Sequence, residues 1–174
     1  MNAVKLDDAG PIFDSRTLRN AFGCYPTGVT AICAVIDDVP VGMSVSSFLS
    51  VSLDPSLVLI SIQKGSTTWE KLKHVSRIGV SVLGEEQHRA CSQLAAKTGD
   101  RFAGLDWLST AGGAVFLQGS AVSLECSIAE TIDAGDHVLV MLKVEELNFE
   151  QNVNPLVFHG SRFRKLATET AASE

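Results

Sequence analysis

Hydroxyl-bearing residues are concentrated between Gly42 and Thr67, in the sequence GMSVSSFLSVSLDPSLVLISIQKGST. The segment ends in the turn Lys64-Gly65-Ser66-Thr67, which opens a predicted helix. Free backbone N–H groups, hydroxyl donors and the positive end of a helix dipole suit a phosphate group. The segment could therefore surround a polar, phosphorylated ligand. The pair Thr67 and Glu70 is also an ordinary capping box, which requires no ligand.

Two β-forming runs must hold this turn in place. Residues 41–50 interleave apolar and hydroxyl side chains, whereas residues 57–63 are almost all apolar and predict a buried strand. Leu53-Asp54-Pro55 separates the two strands, and a helix is predicted over 67–74. We predict further strands over 28–36, 77–83, 122–128, 138–144 and 155–163, helices over 14–22 and 85–97, and a Gly-rich loop over 98–113.

The clearest local signal is a long hairpin. Apolar residues alternate with more polar ones over 122–128 and again over 138–144, and Asp133-Ala134-Gly135-Asp136 forms the turn between them. With about seven strands and a few short helices, the chain is expected to be mostly β and to form a closed antiparallel barrel with helices outside it.

Composition limits the possible partners. The chain has 174 residues, 45% of them hydrophobic, which suits one domain with a sizeable core. A net charge of −6 argues against nucleic acid and anionic membranes as main partners. We expect a domain over 13–166 between flexible tails at 1–12 and 167–174.

Cysteine spacing and hydropathy point to a cytoplasmic protein. The four cysteines are widely spaced and include no CxxC pair, so we expect reduced, mostly buried thiols and no metal site. The chain has no run of about 20 apolar residues that would cross a membrane. Its first residues, MNAVKLDDAGP, lack the apolar region of a signal peptide.

Four stretches together carry a family resemblance that covers about Phe13 to Leu166. They are FG-YPTGVT (residues 22–30), GMSVSSFLSVSLDPSLVL (42–59), RFAGLDW (101–107), and AGDH (134–137) with the late PLVFHG (155–160). The chain resembles the flavin reductase domain family, which has the split-barrel, Greek-key-like FMN-binding fold. Members include the small reductase components of two-component flavin monooxygenases.

The resemblance implies a homodimer that binds FMN or FAD near the subunit interface and takes hydride from NADH or NADPH. Reduced flavin would then pass to a partner flavin-dependent monooxygenase. A GxGxxG fingerprint is absent from the sequence, so NAD(P)H must bind by another route. Two alternatives remain at this point: a flavin-binding electron carrier or sensor without free-flavin turnover, and a relative of pyridoxamine-phosphate oxidase, which shares the barrel.

The resemblance also implies a set of flavin-binding residues. Ser46 and Ser47 match a serine pair expected to hydrogen-bond the flavin; the alternative, which the motif match disfavours, is a solvent-facing polar strand edge. Lys64, Ser66 and Thr67 match the phosphate-holding loop. The full predicted set is Thr27, Gly28, Met43, Ser44, Val45, Ser46, Ser47, Ser61, Lys64, Ser66, Thr67 and Phe102.

His137 is the predicted catalytic residue, because the histidine of the matching family motif lies beside flavin and nicotinamide. It would position NAD(P)H or relay a proton, since hydride transfer needs no protein nucleophile. The alternative is a turn histidine bonded to Asp136. Phe102 could pack on flavin or plug the barrel, and we expect Trp107 to be structural. His159 and Arg162 are equally compatible with a pyrophosphate contact and with a solvated basic end.

Overall fold

Twelve strands and three short helices build the chain over residues 13–167, the part that this computed structural model describes. The helices are α1 (Ser15–Phe22), α2 (Trp69–Leu72) and α3 (His88–Leu94). The strands are β1 (Thr27–Gly28), β2 (Thr30–Ile36), β3 (Val39–Val45), β4 (Leu49–Leu53), β5 (Ser56–Gln63), β6 (Ile78–Val82), β7 (Trp107–Ser109), β8 (Val115–Leu117), β9 (Val122–Ala134), β10 (His137–Phe149), β11 (Val157–His159) and β12 (Arg162–Arg164).

A seven-stranded sheet with the order β3-β2-β6-β9-β10-β5-β4 organises the domain, and its paired strands run antiparallel. The longest pairing is the β9–β10 hairpin, which runs from Ala134 opposite His137 to Val122 opposite Phe149. The alternation that predicted this hairpin is confirmed, and so is the mostly β fold class.

Strand β2 separates two apolar cores. Ile32 and Ala34 pack into the larger core, which contains residues of β5, β6, β9 and β10. Ala31 and Cys33, on the opposite face of β2, pack into a second core beneath α3. Because side chains of a strand alternate between faces, a strand buried on both sides must be apolar throughout its centre. This requirement explains the run AICAVI.

The prediction of a closed barrel is wrong in one respect, because the hydrogen-bonded ladder does not close over the described residues. Strands β3 and β4 are the two edges of the sheet, and they are consecutive in the chain. Residues 46–48 connect the two edges, so the predicted strand 41–50 is broken there. The Ser47 hydroxyl donates to Ser61 O (2.8 Å) and accepts from Ser61 N (2.9 Å), which fastens the connection to β5.

Two irregular regions contain more structure than predicted. The single strand predicted over 155–163 is the hairpin β11–β12, which turns at Gly160 and Ser161, both with positive φ. The loop predicted over 98–113 contains β7, which pairs with β8. In both places a short strand pairs with another segment of the chain. The periodicity of one segment does not reveal such a pairing.

Helix α1 begins as predicted, with Asp14 Oδ1 accepting from the N–H groups of Arg16 and Thr17 at 2.9 Å each. Helices α2 and α3 are shorter than the predicted 67–74 and 85–97. Before α3, Gln87 folds back and its Oε1 accepts from Gly84 N at 2.8 Å, which makes a turn where helix was predicted.

Over residues 13–167 the helices are all too short and too polar to cross a bilayer. The cytoplasmic location stays a prediction, as does the domain boundary at 13–166. The predicted tail at 1–12 and all but the first residue of the tail at 167–174 lie outside the described residues.

Candidate functional site

Three adjoining cavities form a groove along β3. The central cavity, of about 460 Å³, lies between β3, the turn after β5 and the end of α3. It shares Ser44 and Ala95 with an apolar cavity of about 270 Å³. On its other side it shares Thr67, Thr68 and Arg101 with an outer cavity of about 400 Å³. Cavities of this size accommodate small organic ligands.

The central cavity is lined by positive charge and hydroxyl groups. Lys97 and Arg101 supply the charge, Ser66 and Thr67 lie opposite on the turn after β5, and the lining contains no carboxylate. Among the described residues neither cation forms a salt bridge. Uncompensated cations beside hydroxyl donors favour an anionic group such as a phosphate.

Arg101 is held in a fixed position. Its Nη1 donates to Gly42 O at 3.1 Å and to Thr68 Oγ1 at 2.6 Å, which ties the loop after α3 to both β3 and the start of α2. A guanidinium has five N–H donors, so these two bonds leave donors available for a ligand. Arg101 therefore combines structural anchoring with anion-binding capacity.

The turn after β5 is capped differently from the sequence prediction. Ser66 Oγ accepts from Trp69 N at 3.2 Å, whereas the expected capping box of Thr67 and Glu70 is replaced by an ion pair between Glu70 and Lys73 (2.7 Å). Helix α2 has only four residues, so its dipole is small. Anion binding here rests on the side-chain cations and hydroxyls.

The apolar cavity suits a flat ring system. Val29, Val45, Phe158 and Phe163 provide its apolar walls, and Ser44 and Ser46 provide polar groups at its rim. The rings of Phe158 and Phe163 meet edge to face with centroids 5.6 Å apart. The thiol of Cys91 also lines this cavity, and burial raises its pKa, so it stays neutral near pH 7.

Six of the predicted flavin-binding residues line the central cavity or the apolar cavity of this groove. They are Met43, Ser44, Val45, Ser46, Ser66 and Thr67. Two of the hydroxyls already have partners: Ser44 Oγ donates to Cys91 O (3.1 Å) and Ser66 Oγ donates to Met43 Sδ (3.5 Å). The flavin-binding role of these residues stays a prediction.

Ser47 and Ser61 do not line the groove, since the Ser47 hydroxyl bonds the Ser61 backbone. Thr27 and Gly28 form β1, and Thr27 lies opposite Phe158 of the apolar cavity wall. A Cβ on Gly28 would meet no atom within 4 Å, so the backbone there is open to a ligand.

Phe102 is a core residue. Its side chain is buried, contacts Trp107 edge to face at 6.3 Å, and lies over Gly42, where a Cβ would come within 3.0 Å of the Phe102 ring. Of the three cavities of the groove, the outer one includes Phe102 in its lining. The structural role expected of Trp107 thus extends to Phe102, and the flavin contact of Phe102 stays a prediction.

His137 and Lys64 are not among the residues that line the groove. His137 is paired across the sheet with Gln63, which lines the central cavity. The His137 Nδ1 is 2.7 Å from Asp136 Oδ1, and this contact lowers the pKa of Asp136. Lys64 forms an ion pair with Asp133 (3.1 Å) and faces a different cavity, so its charge is outside the groove.

Sequence reasoning missed the two cations of the central cavity. Lys97 and Arg101 are four residues apart in the loop after α3. Arg101 stands at the head of the RFAGLDW stretch, and a pair of basic residues around Gly99 is a signal that could have identified them. His159 and Arg162 face each other in the β11–β12 hairpin, next to Phe158 of the apolar cavity.

Comparison with known proteins identifies the family. Residues 22–167 match the family described as flavin reductase like domain. The chain belongs to this family. It is 37% identical over 158 residues to HsaB, the reductase subunit of a flavin-dependent monooxygenase from Mycobacterium tuberculosis, covering 90% of this chain and 84% of that protein. It is 34% identical over 160 residues to a flavin reductase from Pseudomonas putida, covering 91% and 94%.

Solved structures that resemble this chain are also flavin reductases. The NADH:FAD oxidoreductase SgcE6 of Streptomyces globisporus, in complex with NAD and FAD fragments, matches with a TM-score of 0.86 at 34% identity, covering 90% of this chain and 95% of that chain. BorF, the flavin reductase component of a bacterial two-component tryptophan halogenase, matches with a TM-score of 0.82 at 31% identity, covering 89% and 99%. The predictions of the family, the split-barrel fold and a flavin reductase enzyme are confirmed.

Proposed function

We propose that this flavin reductase transfers hydride from NADH or NADPH to FMN or FAD in the groove along β3 and releases the reduced flavin to a partner flavin-dependent monooxygenase. The observation that carries the proposal is the central cavity, which lies directly beside the apolar cavity. Its lining holds four hydroxyl residues, no carboxylate, and two cations that form no salt bridge within the described residues. A flavin phosphate fits the central cavity and an isoalloxazine ring fits the apolar cavity.

The protein's contribution is to orient its two ligands. Lys97 and Arg101 hold the phosphate end, while Val29, Val45 and Phe158 hold the ring at the other end of the ribityl chain. The flavin ring supplies the hydride-accepting chemistry, and alignment of two reacting groups can itself lower the barrier by several kcal/mol. The neutral thiol of Cys91 contributes packing to the ring wall.

His137 is proposed as a positioning residue at the edge of the groove. Asp136 Oδ1 accepts from Nδ1, so the ring orientation is fixed and Nε2 is the nitrogen that can face a ligand. Gln63, its partner across the sheet, lines the central cavity. A nicotinamide nucleotide that enters from this side would meet His137 before the flavin.

We also propose that the chain is a homodimer and that β4 lies in the interface. Leu49, Val51 and Leu53 are exposed apolar side chains on this edge strand, and Leu53 is 94% exposed. Clusters of exposed large apolar side chains mark protein interfaces. Sedimentation of wild type and Leu53→Asp tests this: wild type should be dimeric and the variant should dissociate. A stable wild-type monomer that reduces flavin would contradict the proposed homodimer.

Steady-state kinetics tests the activity. NADH and NADPH oxidation is measured with FMN, FAD, riboflavin or no added flavin, under conditions in which free flavin is reoxidised. A reductase oxidises NAD(P)H much faster when flavin is supplied. An electron carrier would instead retain its flavin through dialysis and oxidise NADH slowly regardless of added flavin, which would overturn the proposal.

A further inference from the structure

A separate cavity of about 390 Å³ lies between the β7–β8 hairpin and the β9–β10 hairpin. In β9, Leu124 and Cys126 pack into the larger core. The intervening Glu125 therefore points to the opposite face of the sheet, where it lines this cavity. Among the described residues the cavity shares no lining residue with the three cavities of the groove. Its volume lies within the range of small-molecule sites.

Apolar side chains from two elements form part of the cavity wall. Leu108 and Phe116 are paired in the β7–β8 hairpin, and Leu147 comes from β10. Leu108 is 49% exposed and Leu147 is 62% exposed, so both side chains present apolar surface to solvent. Contact with an alkyl or aromatic group would remove that surface from water, and the face of an aromatic ring such as Phe116 also attracts a cation.

Three carboxylates also line the cavity. Glu125 of β9 and Glu146 of β10 are direct partners across the hairpin, and Glu150 follows the end of β10. Like charges directly opposite each other destabilise a sheet. The described residues of the lining include no lysine, arginine or histidine that would balance them. A cation bound between Glu125 and Glu146 would relieve the repulsion.

Glu125 is nearly buried, whereas Glu146 and Glu150 are exposed. The Glu125 side chain is 10% exposed, and its Oε1 lies 3.5 Å from Nε of Arg77, which does not line the cavity. This distance suits an ion pair and is too long for a good hydrogen bond. The described residues donate no hydrogen bond to either Glu125 oxygen, although buried carboxylates are normally hydrogen-bonded. No fully buried polar side-chain atom among these residues lacks a partner, so the free acceptor sites of Glu125 reach solvent through the cavity.

We propose that this cavity binds a small organic cation, an amine or guanidine that carries an alkyl or aromatic body. The cationic group lies between Glu125 and Glu146 and donates hydrogen bonds to both carboxylates. The apolar body packs against Leu108, Phe116 and Leu147. Flavin phosphates and NAD(P)H are anions, which a cavity lined by carboxylates repels. The site is therefore additional to the groove.

Titration with 2-phenylethylamine and hexylamine tests the site, with 2-phenylethanol and hexanol as neutral analogues of similar shape. Protein-observed NMR at low ionic strength and neutral pH measures the dissociation constants. Each amine should bind the wild type about tenfold more tightly than its alcohol, because only the amine makes charge-assisted hydrogen bonds. Glu125→Gln and Glu146→Gln should each raise the dissociation constant of the amines about tenfold and leave that of the alcohols unchanged.

Glu130→Gln is the matched control, because it removes the same charge from the same strand and Glu130 lies outside the cavity. Glu146 is exposed, so Glu146→Gln tests the charge even if Glu125→Gln does not fold. Equal binding of each amine and its alcohol would overturn the site. Unchanged amine binding in Glu146→Gln would also overturn it, as would equal weakening in Glu130→Gln, which would mean general attraction to an acidic protein. FMN at saturation should not displace the amines, since displacement would place them in the groove and overturn the separate site.

Discussion

Replacing Lys97 with Gln should weaken FMN binding about tenfold and riboflavin binding less than twofold. The two ligands share the ring and the ribityl chain, and only FMN carries the phosphate. Lys97 lines the central cavity and takes no part in a salt bridge or side-chain hydrogen bond within the described part of the chain. Its removal therefore tests the charge without disturbing a structural contact.

The magnitude follows from the position of the charge. Two unit charges 4 Å apart near a protein surface interact by about 4 kcal/mol at an effective dielectric constant of about 20. Lys97 is exposed, so solvent screening reduces this value, and Arg101 stays in the cavity to hold the phosphate. Hydrogen bonds to charged groups contribute about 1.5–3 kcal/mol. A loss of binding free energy near the lower bound, about 1.4 kcal/mol, corresponds to the expected tenfold rise in the FMN dissociation constant.

Fluorescence titration at low ionic strength measures the dissociation constants of FMN and riboflavin. Adding salt to about 0.1 M shortens the Debye length to about 10 Å and should narrow the difference between wild type and variant. Lys73→Gln is the control, because Lys73 lies outside the groove. Equal weakening of FMN and riboflavin would refute the reasoning, since it would mean that Lys97 supports the groove and does not contact the phosphate.

Three other changes test the site and the fold. His137→Ala should slow anaerobic stopped-flow reduction of bound flavin roughly ten- to a hundredfold at saturating NADH, with much less change in flavin affinity; full recovery at saturation would show ground-state binding only. Gly79→Ala should lower the free energy of unfolding in urea by about 1–3 kcal/mol or more, because its Cβ would lie 2.1 Å from Val115 O, whereas Gly28→Ala meets no atom within 4 Å and should be near neutral. In native protein a thiol reagent should modify Cys24 quickly and Cys33 and Cys126 only after unfolding; rapid reaction of Cys33 or Cys126 would contradict the buried thiols.

The parts of the fold that could be predicted are those in which one segment decides its own structure. The alternation over 122–128 and 138–144 needs only a turn between them to make the β9–β10 hairpin. The break at residues 46–48 could not be predicted in this way, because Val45 and Leu49 pair with β2 and β5, at opposite ends of the sheet order. Local propensity favours an unbroken strand there, and the tertiary pairing overrides it.

The same distinction applies to the site. The hydroxyl residues of the Gly42–Thr67 segment could be predicted as site residues because they lie in the same stretch of chain as the turn after β5. Lys97 and Arg101 reach the same cavity from the loop after α3, and only the packing of α3 against β3 brings them there. Lys64 had the right residue type and the right neighbours, yet it forms an ion pair with Asp133 and lines a different cavity.

The connection between the two edges of the sheet and the wall of the apolar cavity share a few residues of this chain. Residues 46–48 join the two open edges of the sheet, and Ser47 fastens them by bonding both backbone groups of Ser61. Val45 and Ser46, on the β3 side of that connection, line the apolar cavity. The proposed ring-binding wall therefore depends on the connection between β3 and β4 that Ser47 fastens to β5. A ligand that binds only the folded arrangement stabilises it by mass action, so flavin bound at the proposed site would stabilise this connection.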